Sequence, residues 1–552
     1  MEEKTKRFLL IAIIILLVGL FFAGYSYLAF KQPVDFTATP KLILNSPDET
    51  GNLFFARLFA EKSELRFFEP ANVVAEKLVV PRSMLSVDGF TIPAGFIGLP
   101  VIYGSIAKIV GLWIIPYLTT LFALLGLYFL FLLLKDWLLL DHFASLIAVA
   151  LLAVFPGWWY YVARGMLPNV LFCSLLIISL YFFLKAIHNN HLWRYCLAGV
   201  FLGLALMTRT SEFFWILWLF GGLLFFYRQN IKWPNLLLMF FTTVLLFSPV
   251  FYFNYINYGQ IFSLGYGLSG GGLNGFENIG SVGLLGKIIF PFGFHPILAL
   301  QNFFNYSFVL FSAFSTAVLV GIIFVLRIYR FQSPSFRKNW LGYLWLTLPI
   351  SIYLIIYYGS WRFADNPDPN AITIGTSYVR YFLPIYIFAL PPLALLLDYG
   401  YRRLKWRKFL AIFIFILLVL SGYHSVMANG NESLIAVQKN LEVYQVQFAE
   451  FSKNLPEKTV IISGKADKIF FPNIAVIYQL KVPADYVRIK KLIENNWSVY
   501  QFIALSSLTD NTEPQVSFIK NGLKLLPAVK TMGKFSLYPV TIAQLVIPSV
   551  TK

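Results

Sequence analysis

The chain has 552 residues, 58% of them hydrophobic and 18% aromatic, with 13% charged and a mean hydropathy of +0.69. A soluble domain carries about a quarter charged residues, so water cannot solvate this surface and lipid must cover much of it. The net charge of +18 lies mostly in short Lys/Arg clusters between apolar runs, which is how topology is anchored; it does not point to nucleic acid. Cys173 and Cys196 both fall inside apolar runs and suggest neither a disulfide nor a metal site.

A membrane-spanning helix needs about 20 apolar residues. The first candidate is Phe8–Phe30, preceded by Lys4, Lys6 and Arg7, which keep the N-terminus cytoplasmic. It is too long for a signal-peptide core and lacks a small-residue cleavage site, so it reads as retained. A loop over residues 31–112 follows. It contains Ser46-Pro47-Asp48-Glu49, an amphipathic run from Thr50 to Glu64, an Asp88-Gly89 turn and the apolar stretch Pro93–Val110. That stretch is interrupted by Gly95, Gly98, Pro100 and Gly104. If it spans, the charge bias of all later loops inverts against the N-terminus, so it is expected as a helix at the outer interface.

Ten further spans are expected: Trp113–Leu134, Phe143–Tyr161, Leu167–Leu184, Trp193–Thr208, Phe213–Tyr227, Leu236–Ile256, Phe303–Leu326, Trp340–Tyr358, Tyr378–Leu397 and Phe409–Met427. The clusters Lys135, Lys185 with Arg194, Arg228 with Lys232, Arg327 to Lys338 and Arg402 to Lys408 then share the inner side. Outer loops hold isolated cations, Arg164, Arg209 and Arg362 among them. The expected fold is thus a polytopic α-helical membrane protein of about eleven spans. Its membrane domain covers 1–428, with outer loops at 31–112 and 257–302, and a small soluble α/β domain follows at 429–552 on the outer side. In that tail, helices are expected at Asn431–Leu455, Pro483–Asn495 and Glu513–Asn521, the last ended by Gly522, and strands at Thr459–Ser463 and Ser498–Leu505.

Chemistry concentrates in the first loop. Ser46 as N-cap, Pro47 at N1 and Glu49 at N3 form a capping box, in which the acids only offset the helix dipole. The functional alternative is a carboxylate held at the membrane surface as a general base, with Asp88 as a second loop acid. Arginines at the outer ends of helices run against the positive-inside bias and need partners. Lipid phosphate, which a guanidinium fork matches, is one; plain snorkelling to headgroups is the other. Arg380 stands out inside an aromatic run at a helix start, followed by Arg209 and Arg164. Asp365-Asn366-Pro367-Asp368 offers oxygen ligands of the kind a divalent cation takes, or a polar turn. No cofactor is otherwise indicated. The glycines between Gly265 and Gly286 lack the Lys-Ser/Thr of a phosphate loop and read as an outer lid. His142, His188, His191, His295 and His424 show no metal spacing.

A first span followed by Pro47-Asp48-Glu49 on a surface helix, then a second interfacial helix, resembles the GT-C class of membrane glycosyltransferases. That class includes protein O-mannosyltransferases, lipid A aminoarabinose transferases and the catalytic subunits of oligosaccharyltransferases. Arg164-Gly165-Met166-Leu167-Pro168-Asn169 resembles a turn that mannosyltransferases carry between early helices, with Asn169 where an Asp is expected. Arg209 in Met207-Thr208-Arg209-Thr210 and the run Ser377-Tyr378-Val379-Arg380-Tyr381-Phe382-Leu383-Pro384 are similar to middle- and late-helix motifs of the class. The His-Pro-Pro signature of protein mannosyltransferases is absent.

The resemblance implies transfer of a sugar from a polyprenyl-phosphate-linked donor to a protein, lipid or glycan acceptor, with inversion at the sugar. Asp48, with Glu49 as neighbour or substitute, would act on the acceptor. Arg380, Arg209 and Arg164 would balance the leaving phosphate. The implied place is the outer face of a bacterial or archaeal plasma membrane. A transporter or lipid flippase is the alternative; it would be expected to show paired repeats and broken midplane helices, and no repeat is seen.

Overall fold

The computed structural model describes residues 16–31, 43–262, 289–363, 368, 371–402, 405–505, 509 and 512–543. The basic N-terminal residues, the glycine loop 265–286 and Asp365-Asn366-Pro367 lie outside the described residues. The chain divides into two compact units: residues 1–32, 114–251 and 270–437 form unit one, and residues 33–113, 252–269 and 438–552 form unit two.

Unit one is a helical bundle. Among the described residues, eight helices are long and apolar enough to cross a membrane, and a ninth span results if the bent pair His142–Val154 and Pro156–Arg164 counts as one. Leu16–Tyr25 and Leu192–Thr208 are shorter apolar helices. Each of the eleven expected spans therefore has an apolar helical segment, and a total of eleven is compatible with the fold. Helix starts follow local chemistry. Asp141 caps His142–Val154 by accepting the Ala144 N–H at 2.9 Å, and Ser333 accepts that of Phe336 at 3.2 Å. Pro116, Pro168 and Pro334 sit in the first turn of their helices, where a missing N–H costs nothing.

Three expected spans are not straight. Phe143–Tyr161 bends by 57°, because Pro156 removes a donor and pushes Phe155 into an extended conformation, φ −63 and ψ 127. The short arm so produced carries Tyr160, Tyr161 and Arg164, all buried. Tyr378–Leu397 is a five-residue turn, Ser377–Tyr381, and a separate helix, Leu383–Arg402. Phe303–Leu326 is interrupted by a π-helical turn at Asn305–Val309, where the Leu310 N–H reaches back to Asn305 at 2.9 Å.

Unit two contains both the first loop and the tail. Pro93–Val110 is helical over Gly98–Val110 and packs on the helix Pro47–Lys62. Gly104 makes this packing possible: a Cβ there would lie 2.7 Å from the Ala56 carbonyl. Strands β1 (Phe67–Phe68), β2 (Met84–Val87) and β3 (Phe90–Pro93) form a small antiparallel sheet in the order β1-β3-β2. The β2–β3 turn is Asp88-Gly89, both at positive φ, as a type I′ hairpin requires.

The tail strands are β4 (Thr459–Ile462), β5 (Ala475–Ile477), β6 (Ser498–Ile503), β7 (Leu523–Leu525), β8 (Lys530–Met532) and β9 (Phe535–Ile542). They order as β5-β4-β6-β9-β7, with β8 on β9; β4 runs parallel to β5 and β6, and β9 antiparallel to its neighbours. The helices Leu434–Ser452, Pro483–Glu494 and Glu513–Lys520 occupy the expected positions, and Gly522 at φ +72 follows the last. Loop and tail share one hydrophobic core: Ala71, Ala75 and Val79 pack with Val460, Ile477, Ile489 and Leu492. Val80 adds a parallel bridge to Ile477.

Candidate active site

The first-loop acids lie in unit two and divide their work. Ser46 is extended, φ −121 and ψ 146, and caps Pro47–Lys62. Glu49 is buried, and its Oε2 accepts the Ser46 backbone N–H at 2.9 Å, the return half of the capping box. Asp48, one residue earlier, is half-buried and accepts the Ser83 hydroxyl at 2.5 Å through Oδ1. A third acid, Glu69, which the sequence reading did not single out, is also buried. Burial holds its carboxyl above the usual range, and the Ala71 N–H at 3.2 Å works weakly against this. Glu76 is the opposite case: hydrogen bonding and charge from Arg488 hold it below the usual range.

The three arginines lie in unit one. Arg209 is buried and ion-paired with Glu212: Nε donates to Oε1 at 2.7 Å, and a terminal nitrogen donates to the Tyr358 hydroxyl at 2.7 Å. Tyr358 in turn donates to Glu212 Oε1 at 2.5 Å, and Trp215 Nε1 to Oε2 at 2.5 Å. Arg209 and Glu212 stand three residues apart, so the pair is visible in the sequence as Arg209-x-x-Glu212.

Tyr381 joins two of the cations. The Arg209 guanidinium lies 4.8 Å from its ring centroid and that of Arg380 5.1 Å away, and Tyr358 stacks on it at 4.4 Å. Arg380 also donates to Ser377 Oγ at 2.8 Å, and its carbonyl accepts Asn169 Nδ2 at 3.0 Å. Arg164, on the arm bent by Pro156, donates to the Tyr160 hydroxyl at 2.7 Å. Tyr160 packs edge-on against the buried Tyr161, whose hydroxyl donates to the carbonyls of Thr376 at 2.8 Å and Ile374 at 3.1 Å. The fold thus brings Arg209 and Arg380 together on the Tyr381 ring, while Arg164 is held by Tyr160, against Tyr161. Distances along the chain could not show this, because the link between Arg209 and Arg380 is made by Tyr381, with Tyr358 stacked on it.

Arg362 lines a separate cleft of about 540 Å³ in unit one, together with Phe294, His295, Ile297, Gln301 and Ser360. Among the described residues no group of three or more His, Cys, Asp or Glu could hold a metal ion. Asp365, half of the oxygen-ligand motif raised by the sequence, lies outside them.

Residues 101–253 match the family model described as dolichyl-phosphate-mannose-protein mannosyltransferase. No curated protein matches the chain in sequence. Among solved structures, the chain is similar to ArnT from Cupriavidus metallidurans bound to undecaprenyl phosphate, with a TM-score of 0.54 at 11% identity over 96% of this chain and 98% of that one. The apo form of ArnT gives 0.51 at 12% over 97% and 98%. The archaeal oligosaccharyltransferase AglB from Archaeoglobus fulgidus, in complex with an inhibitory peptide and a dolichol-phosphate, gives 0.53 at 13% over 89% and 69%. At these identities the likeness is one of fold: the chain shares the fold of ArnT and AglB over most of its length.

Proposed function

We propose that the chain is a membrane glycosyltransferase that moves a sugar from a polyprenyl-phosphate-linked donor to an acceptor on the outer face of the membrane. The observation that supports this reading is the joining of Arg209 and Arg380 through the Tyr381 ring in a chain whose fold matches a structure holding undecaprenyl phosphate. In the reaction, the acceptor oxygen attacks the anomeric carbon while the bond from that carbon to the phosphate oxygen breaks. The phosphate leaves with the electron pair, and the sugar inverts.

Asp48 takes the acceptor proton. Its exposure and its hydrogen bond from a hydroxyl suit an ionised carboxylate, whereas Glu49 is committed to its cap. Arg380 meets the phosphate charge, together with Arg164. Arg209, already balanced by Glu212, fixes the tyrosine platform. The fold argues for a lipid-phosphate donor; the sugar and the acceptor follow from neither unit. The test is transfer in proteoliposomes, with polyprenyl-phosphate sugars as donors and the lipid phosphate product measured. Net movement of the donor across the bilayer without release of lipid phosphate would favour a flippase instead.

A further inference from the structure

Asp48 owes its geometry to residues far along the chain. Its partner Ser83 sits at φ +62, a conformation that side-chain-bearing residues seldom adopt unless their surroundings impose it. Arg82, immediately before it, is bound to Asp467, which has no exposed surface. The Arg82 backbone N–H donates to Asp467 Oδ2 at 2.8 Å, Nε to Oδ1 at 3.0 Å and a terminal nitrogen to Oδ1 at 2.6 Å. A further bond runs to the Lys465 carbonyl at 2.7 Å, and the guanidinium lies over Tyr478. After Ser83, the Ala94 N–H holds its carbonyl at 3.3 Å.

The helix that carries Asp48 is tied to the next residue of the same tail segment. Lys468 Nζ donates to the carbonyl of Asn45, just before the Ser46 cap, at 2.5 Å, and Phe54 of that helix meets Phe471 edge-on at 5.0 Å. Adhesion between loop and tail would need only the Arg82 side chain. Recruiting its backbone N–H as well fixes the register of the chain at Ser83 to within one residue.

We infer that Asp467 and Lys468 are positioning residues for Asp48, holding Ser83 and Asn45 so that the Ser83 hydroxyl stays aimed at the carboxylate. The functional consequence rests on the reading of Asp48 as base. A donor aimed at a carboxylate favours its charged form, so a loosened Ser83 would leave less base at a given pH.

The experiment uses the full chain in proteoliposomes. Asp48 is labelled with a carbodiimide, which reacts with the protonated carboxyl, across a pH series and quantified by peptide mass spectrometry. Ser83→Gly removes the hydroxyl while suiting the positive φ. It should raise the labelling midpoint by about one pH unit, the worth of a hydrogen bond to a charged group. Transfer should be about tenfold slower on the acid limb of the pH–rate profile, with KM for the donor unchanged. Asp467→Asn should shift the midpoint in the same direction and add nothing in the Ser83→Gly background. Lys468→Met, a milder change that keeps the buried Asp467, should give a smaller shift of the same sign. Unchanged midpoints in all three variants, with only thermal stability lowered, would overturn the inference and leave the contact as adhesion. Turnover of Asp48→Asn is measured in parallel: if it stays normal the base assignment fails, while the labelling midpoints still decide the positioning.

Discussion

Asp48 and Glu49 are neighbours on one helical turn with different partners, and substitution tests the roles proposed for them. Loss of a general base costs about 10²–10⁴-fold in rate, whereas loss of a cap costs about 0.5–2 kcal/mol of stability. Asp48→Asn should therefore lower transfer per folded protein at least about a hundredfold with little change in thermal midpoint. Glu49→Gln should lower the midpoint and keep most of the turnover. The reverse pattern would exchange their roles. In unit one, Glu212→Gln leaves Arg209 charged, buried and without its carboxylate, which should cost about 3–5 kcal/mol and show as a fall in melting temperature. Glu69 predicts a pH dependence. Burial raises its folded-state pKa, so its contribution is favourable when protonated and is lost as pH rises through the folded pKa. Glu69→Gln should accordingly melt higher than wild type at neutral pH and equally at acid pH, as differential scanning fluorimetry would report. The capping box was legible because Ser46, Pro47 and Glu49 sit at fixed helical offsets. Ser83 was not, since no local spacing relates position 48 to position 83.

Helices of unit one were legible as apolar runs because a bilayer demands length and hydrophobicity of each span separately. Their bends were less so. Pro156 and Pro384 are visible in the sequence, yet whether a proline starts, kinks or divides a helix depends on what satisfies the freed backbone groups. The strands β5, β7, β8 and β9 were not expected: β5, β7 and β8 are three residues each, too short for alternation to register, and β9 carries Pro539, which argues against a strand. Close helix contact also escaped notice. Gly199 and Gly203 stand one turn apart on Leu192–Thr208, facing Trp233–Tyr258; a Cβ on Gly199 would lie 2.3 Å from the Met239 carbonyl, and one on Gly203 2.5 Å from that of Thr243. This is the small-residue spacing by which membrane helices approach without a hydrophobic driving force. Gly203→Leu should force the pair apart, destabilising the fold by about 1–3 kcal/mol and reducing the monodisperse peak recovered after heating in detergent; Gly221→Leu, with open space around it, should not.

At the scale of the molecule, the positive-inside pattern leads us to propose that the tail lies outside. A reporter active only in the cytoplasm, fused after Lys552, should stay silent; strong activity would discard the orientation and the outer-face chemistry with it. The sequence puts a boundary at 428/429 and leaves loop 31–112 with the membrane segments, because hydropathy changes there. Packing follows a different line, since residues 33–113 group with 438–552 through a core that no local pattern announces. That shared core sets a schedule for the protein's birth. Arg82 and Asp467 are 385 positions apart, so at about 5–20 residues per second the ribosome delivers the second roughly 20–80 s after the first. Throughout that interval the loop carrying Asp48 lacks the residues that bury Ala71, Ala75 and Val79. The packing around Asp48 can therefore be completed only when translation is nearly over, and a nascent chain arrested before residue 460 should expose that loop to added protease while its inserted helices resist.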